Sequence, residues 1–285
     1  FLSELQADGA WSEPEKLVQD PASQSQSFFD VVVDAAGRFS MIWLDGRRQP
    51  EETNGSSVYF RQYHPETGWE AEKVISGGTC QCCRTELFQD TKGGLHIAYR
   101  DILQDSIRDM VYHYSSDGGA TFTEKEVVHH DNWVINGCPH TGPSLAEYGA
   151  DGLANVWFTM GGGEGIYFNT RSGTQWTDRE MVSATGFHPQ MVRHATGVHR
   201  MVMEESVELD SNNFAQIELY DRFPNGTLQR DTLSETHHHA TFPVIFALAD
   251  GRNVVAWTDA FFEAQMVKAR IIEVPEQHEG PLTAR

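Results

Sequence analysis

The residues best able to do chemistry in this 285-residue chain are four cysteines and thirteen histidines. Cys80, Cys82 and Cys83 crowd into one short run, and Cys138-Pro139-His140 follows further along. Soft thiolates beside imidazoles suit Cu(I) or Zn(II). The Cys80-x-Cys82-Cys83 spacing is too tight for a zinc ribbon and fits the two- or three-coordinate geometry of Cu(I). Copper is therefore the expected metal and zinc the second choice. The expected ligands are Cys80, Cys82, Cys83, Cys138 and His140, joined by His188 or His239. A plainer reading stands beside it. In an oxidising compartment such cysteines are more often disulfides, and bonding Cys138 to one of the other three would contribute about 2–4 kcal/mol. Both can hold at once, with one pair bridged and the remaining thiols on a metal.

Charged residues form a second candidate set. Asp45, Arg47 and Arg48 fall after one strand-like stretch, with Arg100, Asp101, Arg108 and Asp109 after another. Glu164, Glu204, Glu205 and Asp259 follow, and Arg84 joins from the cysteine run. Opposite charges so placed form a self-satisfied network, or they work on a substrate. In the catalytic version Asp101, Asp109 and Glu205 flank a sugar while Arg84 and Arg108 hold its acidic group, as in a glycoside hydrolase or lyase on acidic glycans. Gly161-Gly162-Gly163 lacks the spacing of a phosphate loop. The His237-His238-His239 run reads equally well as a solvated loop. His64, His96, His113, His194, His199 and His278 are expected to be structural or exposed.

These groups need a frame, and a repeat supplies it. Five segments share a glycine followed by an alternating apolar stretch: Gly37 to Asp45, Gly94 to Asp101, Gly152 to Thr159, Gly197 to Glu205 and Gly251 to Asp259. In step with them run five charged, mostly aromatic-led strands starting at Trp11, Trp69, Phe122, Trp176 and Leu228. Ser115 to Phe122 fits the Asp-box pattern S-x-D-x-G-x-T-[WF], a turn between the outer strands of a blade. Units of this kind, each unable to bury both faces alone, stack radially as a propeller. The expected fold is all-β: one domain over residues 1–285, a five-bladed β-propeller of four-stranded antiparallel blades, with six blades as the alternative. Trp11 to Val18 is expected to close the ring as the fourth strand of the last blade. The five connections 19–30, 76–87, 129–145, 183–191 and 234–244 then meet at one mouth. All four cysteines lie in them, with His129, His130, His140, His188, His237, His238 and His239.

The run from Cys80 to Leu145 contains CQCCRTEL, AYRD with IRDM, SSDGGATF and NWVINGCPHTGPSL. It resembles the sialidase-like, Asp-box (BNR-repeat) propeller proteins of bacteria that carry a CxCC cluster and a GCPxxGP segment. The specific resemblance covers roughly residues 76–160. It implies a propeller, and in many members export or a lipid anchor. True sialidases are similar in their Asp boxes but carry an F/Y-R-I-P segment, an arginine triad and a Tyr–Glu pair. No F/Y-R-I-P segment occurs here, and no arginine or tyrosine can be matched by motif.

The formal charge of −20 argues against a nucleic-acid partner, which needs a basic footprint. No apolar run approaches the roughly 18 residues of a membrane span. No export signal is recognisable at Phe1, and the expected location is periplasmic or extracellular. The leading functional expectation is an extracytoplasmic propeller with a Cys/His metal site at the channel mouth, for copper handling or a copper-dependent reaction. The alternatives are the acidic-glycan hydrolase or lyase above, and a non-catalytic glycan- or protein-binding propeller whose cysteines are staples.

Overall fold

In a computed structural model, which describes residues 1–50, 52, 54–262 and 264–274, strands account for all the regular structure and no helix occurs among the described residues. The first unit comprises β1 (Ser27–Val33), β2 (Phe39–Asp45), β3 (Ser56–His64), the short β4 (Gly68–Trp69) and β5 (Lys73–Thr79). The second has β6 (Glu86–Gln89), β7 (Leu95–Arg100), β8 (Met110–Ser115) and β9 (Glu126–Val127). The third has β10 (Ser144–Tyr148), β11 (Gly152–Thr159), β12 (Gly165–Ser172), β13 (Gln175–Trp176) and β14 (Glu180–Ser183). The fourth has β15 (Gly186–Arg193), β16 (His199–Leu209), β17 (Asn212–Arg222) and β18 (Leu228–Thr232). Last come β19 (His239–Ala247), β20 (Asn253–Phe261) and β21 (Ala264–Ile272), joined to the fourth unit by one parallel bridge, Ala215 to His239.

Each unit is an antiparallel meander, and the first four run to a fourth, outer strand. The innermost strands β1, β6, β10, β15 and β19 neighbour one another in succession, which is the radial order of a β-propeller. The in-phase glycines mark the turns between first and second strands. Gly37, Gly197 and Gly251 adopt φ of 75°, 87° and 89°, where any side chain is strained.

Alternation in the strands sends one set of side chains to each neighbouring unit, and four apolar cores result. Ile42, Val58 and Phe60 meet Leu87, Ile97 and Val111 between units one and two. Ala98 and Tyr112 meet Leu153 and Trp157 between two and three. Phe158 and Phe168 meet Met191 and Met203 at the next junction, and Val202 and Leu219 meet Val255 and Trp257 at the last. Burying each large side chain contributes about 1.5–3 kcal/mol.

The expected closing ladder is not formed among the described residues: β21 pairs with β20 and with nothing else. Instead the N-terminal segment folds on itself through the bridges Leu2–Glu15 and Leu5–Trp11. Its amides are thereby used, since Ser12 donates to the Glu4 carbonyl and Glu15 to that of Leu2, while Pro14 has no amide to give. Leu17 and Val18 pack on Met41, Trp43 and Tyr59 of the first unit. No core joins the last unit to the first among the described residues, and Phe29, Val244, Phe246 and Val267 stand exposed there.

Candidate functional site: the channel mouth

The cysteine run leaves β5 at Thr79, where Thr79 bridges Asp101 and the Cys80 amide donates to the Arg100 carbonyl. That anchors the run to the second unit and folds the thiols inward. Cys80, Cys82 and Cys83 are buried, and none forms a disulfide. Cys80 Sγ lies 3.2 Å from Cys83 Sγ and 3.8 Å from Cys82 Sγ, and all three sulfurs sit within 4.8 Å of one another. Metal–thiolate bonds of about 2.3 Å place the sulfurs of a trigonal site ~4 Å apart, so the cluster has the right size.

Without a metal Cys80 and Cys83 hold their protons. The hydrogen bond with Cys83, then burial, pushes Cys80 far up. Cys83 is drawn down by its bond from Cys80, but contact with Cys82 and burial outweigh that and lift it to about 11. Two buried guanidiniums oppose the rise, Arg108 acting on Cys80 and Arg100 on Cys83. Each keeps a buried Nε with no hydrogen-bond partner. Phe28 and Ile102 complete the apolar wall.

The other expected ligands are elsewhere. Cys138 and His140 are exposed and outside the three-sulfur group, although the His140 ring lies 6.4 Å from that of Phe28, which packs on the cysteines. His239 is exposed beside Phe214 at the parallel bridge. His188 is buried, but its Nδ1 lies 3.0 Å from Glu204 Oε1 and not at the thiols. The remaining mouth histidines mostly pair with carboxylates: His129 with Asp131, His237 with Asp210 and His238 with Asp259. His96, His113 and His199 are buried and hydrogen-bonded, as expected of structural residues, and His278 lies outside the described residues.

The carboxylates proposed to flank a sugar are committed within the protein. Asp101 is buried and accepts from Lys125 Nζ at 2.6 Å. Asp109 accepts the amides of Asn132 and Trp133 at 3.0 and 3.2 Å. Glu205 accepts from Ser183, from the Tyr220 hydroxyl at 2.7 Å and from Arg230 at 2.9 Å. Burial raises the Asp101 and Asp109 carboxyls above their ordinary values. Arg108 is also buried. Of that set, Arg84 alone has a guanidinium free of hydrogen bonds and ion pairs among the described residues and only partly covered.

A second arrangement surrounds Arg84. In β1 two residues, Phe28 and Phe29, stand opposite one on β2, because the register passes from Ser27–Leu44 to Asp30–Ile42. The same bulge recurs at His188-Pro189 in β15 and at Phe242-Pro243 in β19. The first residue of each is left-handed, with φ of 47°, 49° and 53°. Such bulges re-aim a side chain. Counting back from the first regular pair of each inner strand, Arg84 and Gly142 hold the same place in the second and third units.

One residue per unit thus occupies this place: Phe28, Arg84, Gly142, His188 and Phe242. The guanidinium of Arg84 lies 5.5 Å over the Phe242 ring, and the His188 ring is 4.6 Å from the same ring. Gly142 approaches so closely that a Cβ there would sit 2.3 Å from the Arg84 carbonyl oxygen. Spacing arguments from cysteine and histidine missed Phe28, Gly142 and Phe242. A signal was present in the proline after the axial residue in three of the five units.

No family model matches the chain, and no curated protein matches it. Among solved structures, a Dyadobacter fermentans protein of unknown function superposes with a TM-score of 0.60 at 10% identity, over 90% of this chain and 80% of that one. The NanB sialidase of Streptococcus pneumoniae gives 0.46 at 7% identity, over 87% and 68%. An α-L-arabinofuranosidase of Podospora anserina gives 0.49 at 8%, over 91% and 93%. What the chain shares with the first of these is its fold, and its own antiparallel sheets are those of an all-β propeller.

Proposed function

We propose that this propeller binds a soft metal ion, Cu(I), through Cys80, Cys82 and Cys83. The observation that carries this reading is three buried, unbridged sulfurs within 4.8 Å, faced by the guanidiniums of Arg100 and Arg108. Three thiolates around a monovalent ion leave two surplus negative charges. Burying that charge is costly unless cations face it, and the unpartnered Nε atoms of the two arginines are aligned with that need. Three sulfur donors without a fourth ligand in the group favour Cu(I) over zinc, which takes four. Loading releases the three thiol protons, so affinity rises with pH.

An extracytoplasmic location belongs to the same proposal; there a bound metal would keep thiols this close from oxidising to a disulfide. The test is anaerobic titration of reduced protein with Cu(I) against the chromophoric chelator bicinchoninate, with thiol counting before and after. One equivalent bound, lost in Cys83→Ser, is expected. Binding no stronger than that of Cys83→Ser, or a Cys80–Cys83 disulfide in protein purified anaerobically, would overturn it.

A further inference from the structure

We infer that the outer face of the first unit carries a pocket for a small amphipathic anion, a medium-chain carboxylate whose tail lies against Met41 and Trp43 and whose head meets Lys16. The strands that build it alternate. Val32, Ile42 and Leu44 enter the core shared with the second unit, while Phe29, Val31, Met41 and Trp43 face the other way. β1 and β2 are therefore apolar on both faces, the pattern of strands covered on both sides. In the middle units the second face meets the next unit. Here Leu17 and Val18 cover part of it, and what remains is a cavity of about 290 Å³ between them and those four residues. The bulge at Phe28 helps to shape it by parting two neighbours, Phe28 towards the cysteines and Phe29 towards the cavity.

The chemistry of the occupant follows from the size, the walls and the rim. Ligand pockets run from about 300 to 1,000 Å³, so this one stands at the small end and suits a single alkyl chain, not a helix or a strand pair. The Trp43 indole N–H donates to Asp45 Oδ2 at 3.1 Å, so that ring offers the cavity only carbon. Phe29, 72% exposed, stands at the opening and gains most from being covered. Lys16 and Gln26 are the polar residues of the rim. Of the five lysines in the chain, four donate within the protein: Lys73 to the Gly119 carbonyl, Lys92 to Asp151, Lys125 to Asp101 and Lys268 to Glu235. Lys16 makes no such bond among the described residues. In a chain of net charge −20, a free cation at the lip of an apolar cavity selects an anionic head on an apolar tail. Because Lys16 is exposed, the tail supplies most of the affinity and the head a few-fold preference.

The test titrates the whole chain with monomeric decanoate, with decanol, which keeps the tail, and with butyrate, which keeps the head. Binding is read by calorimetry and by the 13C-methyl resonance of Met41. One equivalent of decanoate should bind and shift that resonance. Butyrate should bind at least tenfold more weakly, and decanol about two- to fivefold more weakly. Lys16→Gln should weaken decanoate by that same two- to fivefold and leave decanol unchanged. Phe29→Ala, at an exposed position that the fold does not need, should weaken both by about tenfold. No saturable binding of decanoate, decanol bound as tightly as decanoate, or unchanged affinity in Phe29→Ala would each overturn the assignment. A dimer found by light scattering and split by Phe29→Ala would also overturn it, and would make a second copy of the chain the occupant of this face. Cu(I) loading of the same samples is scored separately, because neither result depends on the other.

Discussion

Asp30 of the first unit accepts the backbone amide of Leu87 in the second at 2.7 Å. The bond recurs one unit along, where Glu86 accepts the Leu145 amide at 3.0 Å, and again where Ser144 Oγ accepts that of Met191 at 3.1 Å. A side chain at one position of the first three inner strands thus ties the following strand inward. The fifth unit has Val244 there, which cannot accept, and its junction with the first has no shared core among the described residues.

This ladder places two acids side by side, and burial together with the Asp30 charge pushes Glu86 up to about 8. The stability consequence has a definite sign. A carboxyl whose folded pKa is raised keeps its proton longer in the native state, so the fold loses stability as pH rises from about 4.5 towards 8. Glu86→Gln keeps the oxygen that accepts from Leu145 and removes the titration. Its melting temperature relative to the native protein should rise by several degrees between pH 5 and pH 8, as measured by calorimetry.

Metal linkage separates the cysteines. Cu(I) in excess should raise the melting temperature of the native protein and of Cys138→Ser, since Cys138 is exposed and outside the cluster. Cys82→Ser should show no such increase. A native protein with a metal affinity far below the added concentration gains several kcal/mol by this route. Loss of the effect in Cys138→Ser would move the exposed loop into the site.

Gly119 sits in the turn between β8 and β9 at φ 92°, and a Cβ there would lie 2.7 Å from the Phe60 ring of the neighbouring unit. Gly119→Ala therefore combines backbone strain with overpacking of a core. A loss of about 2 kcal/mol in denaturant unfolding is expected. Asp117 fixes the same turn by accepting from Ser115 Oγ, the Thr121 amide and Thr121 Oγ1. Asp117→Ala should lower the melting point while leaving Cu(I) binding intact.

Removing residues 1–20 tests where the N-terminal segment belongs. Leu17 and Val18 cover Met41, Trp43 and Tyr59, and the indole of Trp43 is almost fully buried. Truncation should therefore expose Trp43, red-shift its fluorescence and speed hydrogen exchange in β2 and β3 before β21. Val18→Ala is the milder version, with a loss of about 1–2 kcal/mol. Faster exchange confined to β19–β21 would restore the closing role expected from the repeat.

The units were legible because their signal is local. Gly37, Gly197 and Gly251 mark turns by a conformation few residues tolerate, and alternation such as that in Asn253–Phe261 needs no knowledge of partners. The gathering of the cysteine run at one end of the sheets followed from the order of the strands. What could not be read was anything set by cross-strand register. The bulge that brings His188 to the axis depends on how β15 meets β16, and His239, with the same residue type, remains outside. Whether Asp101 and Glu205 stay free for chemistry depended on Lys125, Tyr220 and Arg230, which become their neighbours only on folding. The closing strand failed for a similar reason, since the bond between Glu15 and Leu2 competes locally with a distant edge.

The repeated bulge has a consequence for how such a protein can change. Because the backbone makes the inward turn at the three bulges, the occupant of each is free to vary, and this chain carries Phe, His and Phe on one and the same support. The chemistry of the mouth is spelled at these places by letters replaceable without rewriting the scaffold, whereas Gly142 is held to glycine by the Arg84 carbonyl. New preferences lie a single codon away at any of the three, while the sheets, the cores and the cross-unit bonds behind them stay as they are.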